Sequence, residues 1–485
     1  MSTFQANGIT LEQVSENVWE LPREGEMRVA GRVFASEVLL EEIAEDKTLQ
    51  QLRNTTHLPG IVEPAICMPD GHQGYGFPVG GVGATDAEDG CISPGAVGYD
   101  INCGVRMVRT NLTYDDLRGR EDELVARLFD AVPSGLGGGG VVETDRETID
   151  EILDRGVEWA VENGYGVPDD LRHCEDEGRR PDADPTAITA DAKDRGKSQV
   201  GSLGSGNHFL EVQRVTDVYR QDVAEAFGLE PDQVVVLIHC GSRGLGHQTC
   251  NDYLRRIEQR HQSLLQRLPD RELAAAPAGS ELAEEYYGAM CAAINFAWVN
   301  RQLVMHQTRQ VFADVFGRPW EDLGMDLLYD VAHNIAKKEA HTVDGENREL
   351  YVHRKGATRA FPAGHPEVPA AYREVGQPVI IPGSMGASSY VLRGGARSMD
   401  LSFGSTAHGA GRVMSRTQAK NEFRGGDVQD ALRSQQVYVK ARSGATVAEE
   451  APGVYKDVDE VVRVSEALGI GDTVARTYPV CNIKG

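Results

Sequence analysis

The stretch Gly98-Tyr99-Asp100-Ile101-Asn102-Cys103-Gly104-Val105-Arg106 places a carboxylate and a thiol three positions apart, with glycine on both sides. Asp supplies a hard oxygen ligand and Cys a soft sulfur ligand, so the pair could bind one metal ion, or its sulfur could bridge two. A turn carboxylate beside a buried cysteine would give the same pattern, because free cysteine usually packs as a small hydrophobic residue. The stretch therefore indicates a metal site only if further ligands join it.

The composition is that of a large acidic globular protein. The 485 residues include 74 acidic and 49 basic side chains, for a formal net charge of −25, and 40% of them are hydrophobic. This predicts a compact enzyme with a large core, and the acidic balance favours a salt-adapted, halophilic cytosol. Such a surface argues against a nucleic-acid partner, although at high salt a local cationic patch could still bind RNA.

Cysteine usage and the first residues predict the compartment. Eight cysteines are scattered without a CxxC pair, which is typical of reduced thiols. The first 22 residues contain no basic region followed by an apolar run, and no later segment reaches membrane-spanning length. We expect an unprocessed cytoplasmic protein with no membrane partner.

Hydrophobic periodicity predicts several regular elements. Helices are expected over 36–43, 114–131, 146–163, 216–227 and 280–316, and strands over 234–238 and 325–332. Together they predict an α+β fold, a single large domain over residues 1–485 with mixed β-sheets surrounded by helices.

Four segments lack such periodicity. Gly and Pro are dense over 67–78, which predicts a loop, and 135–141 is expected to be a flexible glycine-rich linker without chemistry. Residues 165–200 are polar and contain three prolines, so we expect an exposed excursion from the domain. The C-terminal residues 481–485 are expected to fray.

Three histidines share a context, since His208, His239 and His333 each lie at the junction of an apolar run and a loop. Any one of them alone is more often a hydrogen-bonded core histidine. Three in matching contexts, together with Asp100 and Cys103, favour a metal site. The ligand types leave the metal open, because thiolate favours zinc whereas carboxylate and phosphate substrates suit manganese or magnesium.

Further motifs indicate phosphate chemistry. His408 is flanked by small residues and followed by Arg412, as expected for a nucleophile that attacks phosphorus, although a structural histidine in a tight turn would look the same. Residues 382–386 could form an anion-binding loop, and 353–359 could form a cationic patch or a solvated hairpin. Asp70 and His72 fit either turn hydrogen bonding or a supporting role at a site.

Taken together, these motifs resemble the RtcB family of RNA-splicing ligases. The likeness runs from about Cys67 to the end of the chain. It rests on MPDGHQGYGFP (68–78), GYDINCGVR (98–106), GSLGSGNHFLEV (201–212), HCGSRGLGH (239–247), DVAHN (330–334), HRKGATRAFP (353–362), IIPGSMG (380–386) and STAHGAGR (405–412). One departure is Gly71, where the family usually has valine.

The resemblance implies an RtcB-like fold and a ligase that joins an RNA 2′,3′-cyclic phosphate or 3′-phosphate end to a 5′-hydroxyl, using GTP and two Mn²⁺ ions. It makes His408 the guanylylated nucleophile. It implies one manganese held by Cys103, His239 and His333, and another by Asp100, Cys103 and His208. The implied guanylate pocket consists of Asn207, Asn334, Ser384, Ser389, Gly409, Ala410, Gly411, Tyr455 and Lys484.

Two other functions use the same residues. A dinuclear metal phosphoesterase would need the metal ligands without a covalent nucleotide. A non-catalytic RNA-binding relative is disfavoured, because His408 and all the implied ligands are present. The identity of the RNA, tRNA halves or broken RNA, and the need for an archease-type helper protein stay open.

Overall fold

The computed structural model describes residues 2–135 and 139–485, which fold into mixed β-sheets surrounded by helices. The strands are β1 Thr3–Ala6, β2 Ile9–Ser15, β3 Val18–Leu21, β4 Gly31–Phe34, β5 Ala65–His72, β6 Val79–Asp86, β7 Cys91–Ile92, β8 Gly104–Thr113, β9 Phe209–Val218, β10 Gln233–Cys240, β11 Ala276–Pro277, β12 Asp326–Ala332, β13 Asn334–Val343, β14 Glu346–Lys355, β15 Ala357–Arg359, β16 Pro378–Ile381, β17 Ser389–Gly394, β18 Ser405–Ala407, β19 Tyr438–Ala441 and β20 Gly471–Lys484.

The helices surround these sheets. They are α1 Glu37–Ile43, α2 Thr48–Thr55, α3 Pro94–Val97, α4 Tyr114–Leu117, α5 Glu121–Ala131, α6 Arg146–Arg155, α7 Val157–Glu162, α8 Pro168–Arg172, α9 Ala190–Lys197, α10 Gln221–Phe227, α11 Arg243–Arg260, α12 Gln262–Leu265, α13 Glu281–Phe316, α14 Ser398–Ser402, α15 Arg416–Glu422, α16 Gly425–Ser434, α17 Gly444–Glu449 and α18 Val458–Leu468. The predicted α+β class, in one compact domain, is confirmed.

Two large sheets position the site. The first has the strand order β1-β2-β3-β4-β5-β6-β14-β13 and contains the first six strands of the chain, from Thr3 to Asp86. The second has the order β12-β8-β10-β9-β20-β17-β16, with β19 added beside β20. In the second sheet β8 runs antiparallel to both of its neighbours, so the start of β8 meets the ends of β10 and β12 at Gly104.

The longest helix, α13, has nearly the bounds predicted from the sequence. The Ser280 side chain accepts a hydrogen bond from the backbone N–H of Ala283 at 3.3 Å, which caps the helix, and Gly317 ends it in the left-handed conformation at φ 64°. Most of its residues are buried, including Trp298 and its two arginines, Arg301 and Arg309. The predicted helix over 280–316 is therefore confirmed.

The other predicted elements are mostly confirmed, with shifts at glycines. The expected helices over 114–131 and 146–163 are each two helices, broken at Gly119 (φ 82°) and at Gly156 (φ 54°). The expected helix over 216–227 begins only at Gln221, because β9 continues to Val218. The strands predicted over 234–238 and 325–332 lie within or almost coincide with β10 and β12.

The expected loop over 67–78 is wrong for its first half, because β5 continues to His72. Pairing with β4 and β6 overrides the Gly and Pro content, and the ladder to β6 shifts register between Cys67 and His72, which accommodates Pro69. Gly71 is required here, since a Cβ on it would lie 2.3 Å from the Cys67 sulfur.

The segment 165–200 forms α8, α9 and two short 3₁₀ turns, and part of it is buried against the domain. Asp170 accepts hydrogen bonds from both terminal nitrogens of Arg309 at 2.8 Å, and Glu175 pairs with Lys337 at 2.5 Å. These two acids are buried. Residues 136–138 of the expected glycine-rich linker over 135–141 lie outside the described residues.

The expected fraying at the C-terminus is wrong. Strand β20 extends to Lys484 and pairs with β9, β17 and β19, and Lys484 is 3% exposed. Its last pair joins Lys484 to Phe209, so the end of the chain lies at the same sheet edge as the start of β9.

Candidate active site

The Asp100 to Cys103 stretch forms a tight turn between α3 and β8. The backbone N–H of Cys103 donates to the Asp100 carbonyl at 2.9 Å, and Asn102 has a positive φ of 52°. Gly104 must be glycine, because a Cβ would lie 2.2 Å from the Val331 carbonyl oxygen on β12. The turn therefore brings the Asp100 carboxylate and the Cys103 thiol together at the start of β8.

The three histidines converge on this turn because of the strand order. His239 lies near the end of β10, His333 directly follows β12, and His208 directly precedes β9. In the sheet β10 and β12 flank β8, and β9 pairs with the far side of β10, so the strand ends concerned lie at the same edge. Antiparallel pairing thus brings together residues that are more than 200 positions apart.

The side chains form two overlapping triads. Cys103 Sγ lies 3.3 Å from His239 Nε2 and 3.5 Å from His208 Nε2, and the Nε2 atoms of His239 and His333 are 3.2 Å apart. His208 Nε2 lies 2.8 Å from Asp100 Oδ2. The ligand atoms of Cys103, His239 and His333 lie within 4.8 Å of one another, as do those of Asp100, Cys103 and His208. The Cys103 sulfur belongs to both sets.

The hydrogen bonding around His208 fits a cation between the ligands. Its Nδ1 N–H donates to the Leu203 carbonyl at 2.9 Å, which leaves a lone pair on Nε2. That lone pair faces the Asp100 carboxylate, and two acceptors at 2.8 Å repel unless a proton or a metal ion lies between them. The donor set of sulfur, imidazole and carboxylate therefore fits two metal ions that share the sulfur.

Burial sets the protonation of these groups. Desolvation lowers the pKa of His239 and of His333 well below the ordinary value, and neighbouring histidines lower it further. Both imidazoles are thus neutral, as metal ligands must be. Burial would raise the pKa of Asp100, but the adjacent His208 and the charges of His247 and Arg243 together lower it below its ordinary value, so Asp100 is ionised. Burial also raises the pKa of the Cys103 thiol, an effect that a bound cation reverses.

Arg301 on α13 ties the ligand-bearing segments together. It donates to the Asn102 carbonyl at 2.8 Å, the Cys240 carbonyl at 2.7 Å and the Asn102 side-chain oxygen at 3.1 Å. Two further bonds, at 2.9 and 2.8 Å, go to the Asp330 carboxylate. All five N–H groups of the guanidinium are used. Since these partners adjoin Cys103 and His239 and precede His333 on β12, Arg301 fixes the segments that carry three ligands.

His408 follows β18 and points into the same cleft. Its Nδ1 lies 2.5 Å from Asp70 Oδ2, and the backbone N–H groups of His408 and Gly409 donate to the same oxygen at 3.0 and 3.2 Å. A proton on Nδ1 leaves the Nε2 lone pair free for attack. The ring centroid of His408 lies 4.8 Å from that of His333, which places it beside the first triad. Of the two roles expected for Asp70, support of a site residue is the one observed.

A cleft of about 260 Å³ joins these groups. Twelve of the fifteen residues that the resemblance implies line it: Asp100, Cys103, Asn207, His239, His333, Asn334, His408, Gly409, Ala410, Gly411, Tyr455 and Lys484. His208 lies just behind the wall, 5% exposed. Ser384 lines an adjoining depression that shares Tyr455 with the cleft. Ser389 lies beneath the 382–386 loop, where its Oγ accepts from the Gly383 N–H and from Gln213, both at 3.1 Å.

Glycine allows the close approach around His408. A Cβ on Gly411, which has φ 79°, would lie 2.3 Å from the Asp70 carbonyl oxygen. The 409–411 run therefore packs directly on the strand that carries Asp70.

The expected cationic patch over 353–359 is wrong. Arg354 is buried and pairs with Glu339 at 2.6 Å, and Arg359 is buried against Glu175 and Asp176. Lys355 does line the cleft, but its Nζ donates to backbone carbonyls, and burial lowers its pKa to about 8. The cations that do face the cleft are Arg412, Arg416 and Lys484.

Two buried acids were missed by sequence reasoning. Glu450 is fully buried, accepts a hydrogen bond from Arg412 at 3.1 Å and lies 3.7 Å from Lys484. Glu211 is buried on β9, and burial raises its pKa to about 7 despite the nearby Lys484. Nothing marks Glu450 in its sequence context, whereas Glu211 stands in the recognised motif over 201–212.

Comparison with known proteins shows the family of this chain. The family model described as tRNA-splicing ligase RtcB matches residues 51–485. The chain belongs to the RtcB family. A protein named tRNA-splicing ligase RtcB from Thermococcus kodakarensis is 54% identical over 478 residues, 98% of this chain and 99% of its own. One of the same name from Nanoarchaeum equitans is 50% identical over 98% of this chain and 100% of its own.

The RtcB resemblance stated from the motifs is therefore confirmed. The eight cysteines, all within the described residues, are buried free thiols, as expected. Among the described residues, helices that combine the length and the apolar character needed to cross a membrane are absent.

Proposed function

We propose that this RtcB-family protein is an RNA ligase that joins 2′,3′-cyclic phosphate or 3′-phosphate ends to 5′-hydroxyl ends, as in tRNA splicing and RNA repair. It uses GTP and two Mn²⁺ ions and passes through a histidine–GMP intermediate on His408. Residues 1–485 act as one catalytic domain in the cytoplasm. The relatives' shared name, tRNA-splicing ligase, supports the substrate class.

One observation carries the proposal: His408 and both metal triads face one cleft, with Asp70 holding His408 Nδ1. A phosphoesterase needs metal ligands, but it does not need an imidazole in the cleft whose Nδ1 is held by a buried carboxylate and whose Nε2 is left free. The metal ions, when bound, spread the negative charge that develops on phosphate oxygens. Asp100, Cys103, His208, His239 and His333 would hold them.

The chain's own residues then perform three phosphoryl transfers. The Nε2 lone pair of His408 attacks the α-phosphorus of GTP, which forms a P–N bond and releases pyrophosphate. An oxygen of the RNA 3′-phosphate, formed by water opening a cyclic phosphate, next displaces His408 and takes GMP. Finally the 5′-hydroxyl attacks that RNA phosphate, so the phosphodiester forms and GMP leaves. Throughout, Asp70 keeps the Nδ1 proton in place.

The walls of the cleft supply the binding groups. Asn207, Asn334, Tyr455 and Lys484, with the 409–411 backbone, line the space beside His408, and Ser384 and Ser389 adjoin it. Arg412 and Arg416 add positive charge at a site on an otherwise acidic protein. This local charge is what phosphate binding requires.

The deciding experiment is covalent labelling. Incubation with α-labelled GTP and Mn²⁺ should leave label on the denatured protein, and His408→Ala should remove it. His261→Ala is the control, because this histidine does not line the cleft. Absence of label at both low and high salt would refute the ligase.

The dinuclear phosphoesterase is the second candidate, favoured only by the triads themselves. It predicts that a 2′,3′-cyclic phosphate RNA is opened without any labelled protein or joined product. Addition of an archease-type helper protein to the ligation reaction tests whether turnover, rather than the first labelling, needs a partner.

A further inference from the structure

Three aromatic side chains stand together at the edge of the cleft. Tyr99 lines the cleft directly before Asp100, and its ring stacks on His247, with centroids 5.9 Å apart and planes 23° apart. Tyr75 meets Tyr99 edge to face at 5.3 Å. Tyr75 and His247 are exposed. We name these three residues the aromatic ledge.

The exposed position of Tyr75 is fixed by buried groups. Tyr75 is 45% exposed, one of four large hydrophobic side chains that are exposed among the described residues. Gln51 clamps the preceding residue, since its amide donates to the Gly74 carbonyl at 2.9 Å and accepts from the Gly74 N–H at 3.0 Å. Lys355 Nζ donates to the Tyr75 carbonyl at 2.6 Å. An exposed ring on so firmly held a backbone is pre-organised for a partner.

An unpaired nucleobase has the flat ring that such a partner needs. Flat apolar rings bind unpaired bases by stacking, and a base lies within one nucleotide of the phosphate that reacts. The protein has a net charge of −25, and salt screens its contacts with phosphate far more than it weakens apolar stacking. Stacking would therefore hold an RNA strand at salt concentrations where phosphate contacts are weak.

The guanine of GTP is the less suitable occupant. Tyr455 joins the cleft to the depression beside Ser384, and neither Tyr75 nor His247 lines that depression or the cleft itself. The ledge therefore extends from the Asp100 side of the cleft towards solvent, where a polymer strand can continue.

We propose that the aromatic ledge of Tyr75, Tyr99 and His247 binds the terminal base of an RNA strand by stacking, and so positions the strand's end beside the two triads. The inference rests on the proposed function for the identity of the strand. It adds a base-binding site to a cleft whose other groups contact phosphate, nucleotide or metal.

Binding of short single-stranded RNAs, measured by fluorescence anisotropy without GTP, tests the ledge. One RNA ends in a 3′-phosphate and the other in a 5′-hydroxyl, each with a normal or an abasic terminal nucleotide. Tyr75→Leu and Tyr99→Leu should weaken binding of one normal RNA by about 5-fold to about 150-fold. Tyr75→Phe, which keeps the ring, should bind nearly as the wild type does. Tyr219→Leu, at a tyrosine 54% exposed elsewhere, is the matched control.

The abasic RNAs make the test specific. Loss of the terminal base should weaken binding to the wild type by a similar factor and should change binding to Tyr75→Leu little further. The end that shows this coupling identifies the stacked strand. Equal binding of all four RNAs by the wild type and the Leu variants would overturn the proposal.

A GTP titration of His408 labelling separates the two occupants. A raised apparent KM for GTP in Tyr75→Leu, with RNA binding unchanged, would assign the ledge to guanine and overturn the proposal. If the wild type takes no label at all, the ligase is refuted, yet the anisotropy result still decides whether the ledge binds a base.

Discussion

The two walls of the cleft, named for the metal and the nucleotide that they are proposed to bind, are built in different ways. The metal wall, made of Asp100, Cys103, His208, His239 and His333, lies at the ends of neighbouring strands in one sheet and is held from behind by Arg301. The nucleotide wall consists of glycine-rich loops over 382–386 and 408–412, together with Tyr455 and Lys484. The metal wall is fixed by strand pairing and by the Arg301 guanidinium, all of whose N–H groups are hydrogen-bonded. The nucleotide wall is fixed by the packing of its loops.

The difference predicts how each wall responds to substitution. In the metal wall one sulfur belongs to both triads, so a single change removes a ligand from two sites. In the nucleotide wall each group contributes a separate hydrogen bond, and loss of one should change binding by a limited factor. Substitutions should therefore be nearly all-or-none on the first wall and graded on the second.

Cys103→Ala should have the largest effect. It removes the shared ligand, so we expect Mn²⁺ binding to weaken by more than about 100-fold and His408 labelling to fall to background. Cys291→Ala is the control, since this buried cysteine lies on α13 outside both triads. Metal content by elemental analysis and labelling with GTP measure the two effects. Normal labelling in Cys103→Ala would refute the shared sulfur.

Asp70→Asn changes the carboxylate that holds His408, and it should lower the rate of labelling alone. An amide can present N–H instead of oxygen to His408 Nδ1, which disfavours the tautomer that leaves Nε2 free. We expect the labelling rate to fall by roughly 10²-fold to 10⁴-fold while Mn²⁺ affinity is unchanged. Asp86→Asn, at a buried carboxylate that pairs with Arg348, serves as control. A large loss of Mn²⁺ affinity would place Asp70 in the metal wall instead.

Arg301→Met tests the support behind the metal wall. It leaves Asp330 with Arg106 alone and leaves the Asn102 and Cys240 carbonyls without this donor, so unfolding should become easier by about 3 kcal/mol. Mn²⁺ affinity should also fall by about 10-fold to 100-fold. Arg309 lies on the same helix as Arg301 and forms a similarly buried pair with Asp170. Arg309→Met should therefore lower the free energy of unfolding without loss of metal affinity. Equal Mn²⁺ affinity in the two variants would show that Arg301 is only structural.

The same contrast explains which structural elements could be predicted from the sequence and which could not. Periodic elements such as α13 and β10 were predictable because their apolar pattern is local. The break at Gly156 and the strand over 65–72 were not, since each depends on partners elsewhere in the chain. The patch over 353–359 was misjudged for the same reason, because its buried acidic partners lie as far away as Glu175.

The candidate site shows a similar division. The metal ligands and His408 stand in short motifs, so residue type and family resemblance suffice to propose them. The supports, Arg301 and Glu450, lie within an ordinary helix and a polar segment, and only the fold brings them to the site. Sequence motifs thus point to the groups that are proposed to react, whereas the groups that hold them depend on long-range packing.

The smallest effects are expected on the nucleotide wall, where Ser384 in the 382–386 loop and Ser389 beneath that loop should behave differently. Ser389 Oγ accepts from the Gly383 N–H and from Gln213, so Ser389→Ala leaves buried donors unpaired and should cost about 1–3 kcal/mol of stability. Within the described residues Ser384 Oγ has no such contact, so Ser384→Ala should leave the melting temperature unchanged. Ser384→Ala should instead raise the apparent KM for GTP by about 2-fold to 10-fold. Thermal melts and GTP titrations of labelling measure both. An equal loss of stability in the two variants would mean that this wall is as interlocked as the metal wall, and the comparison would fail.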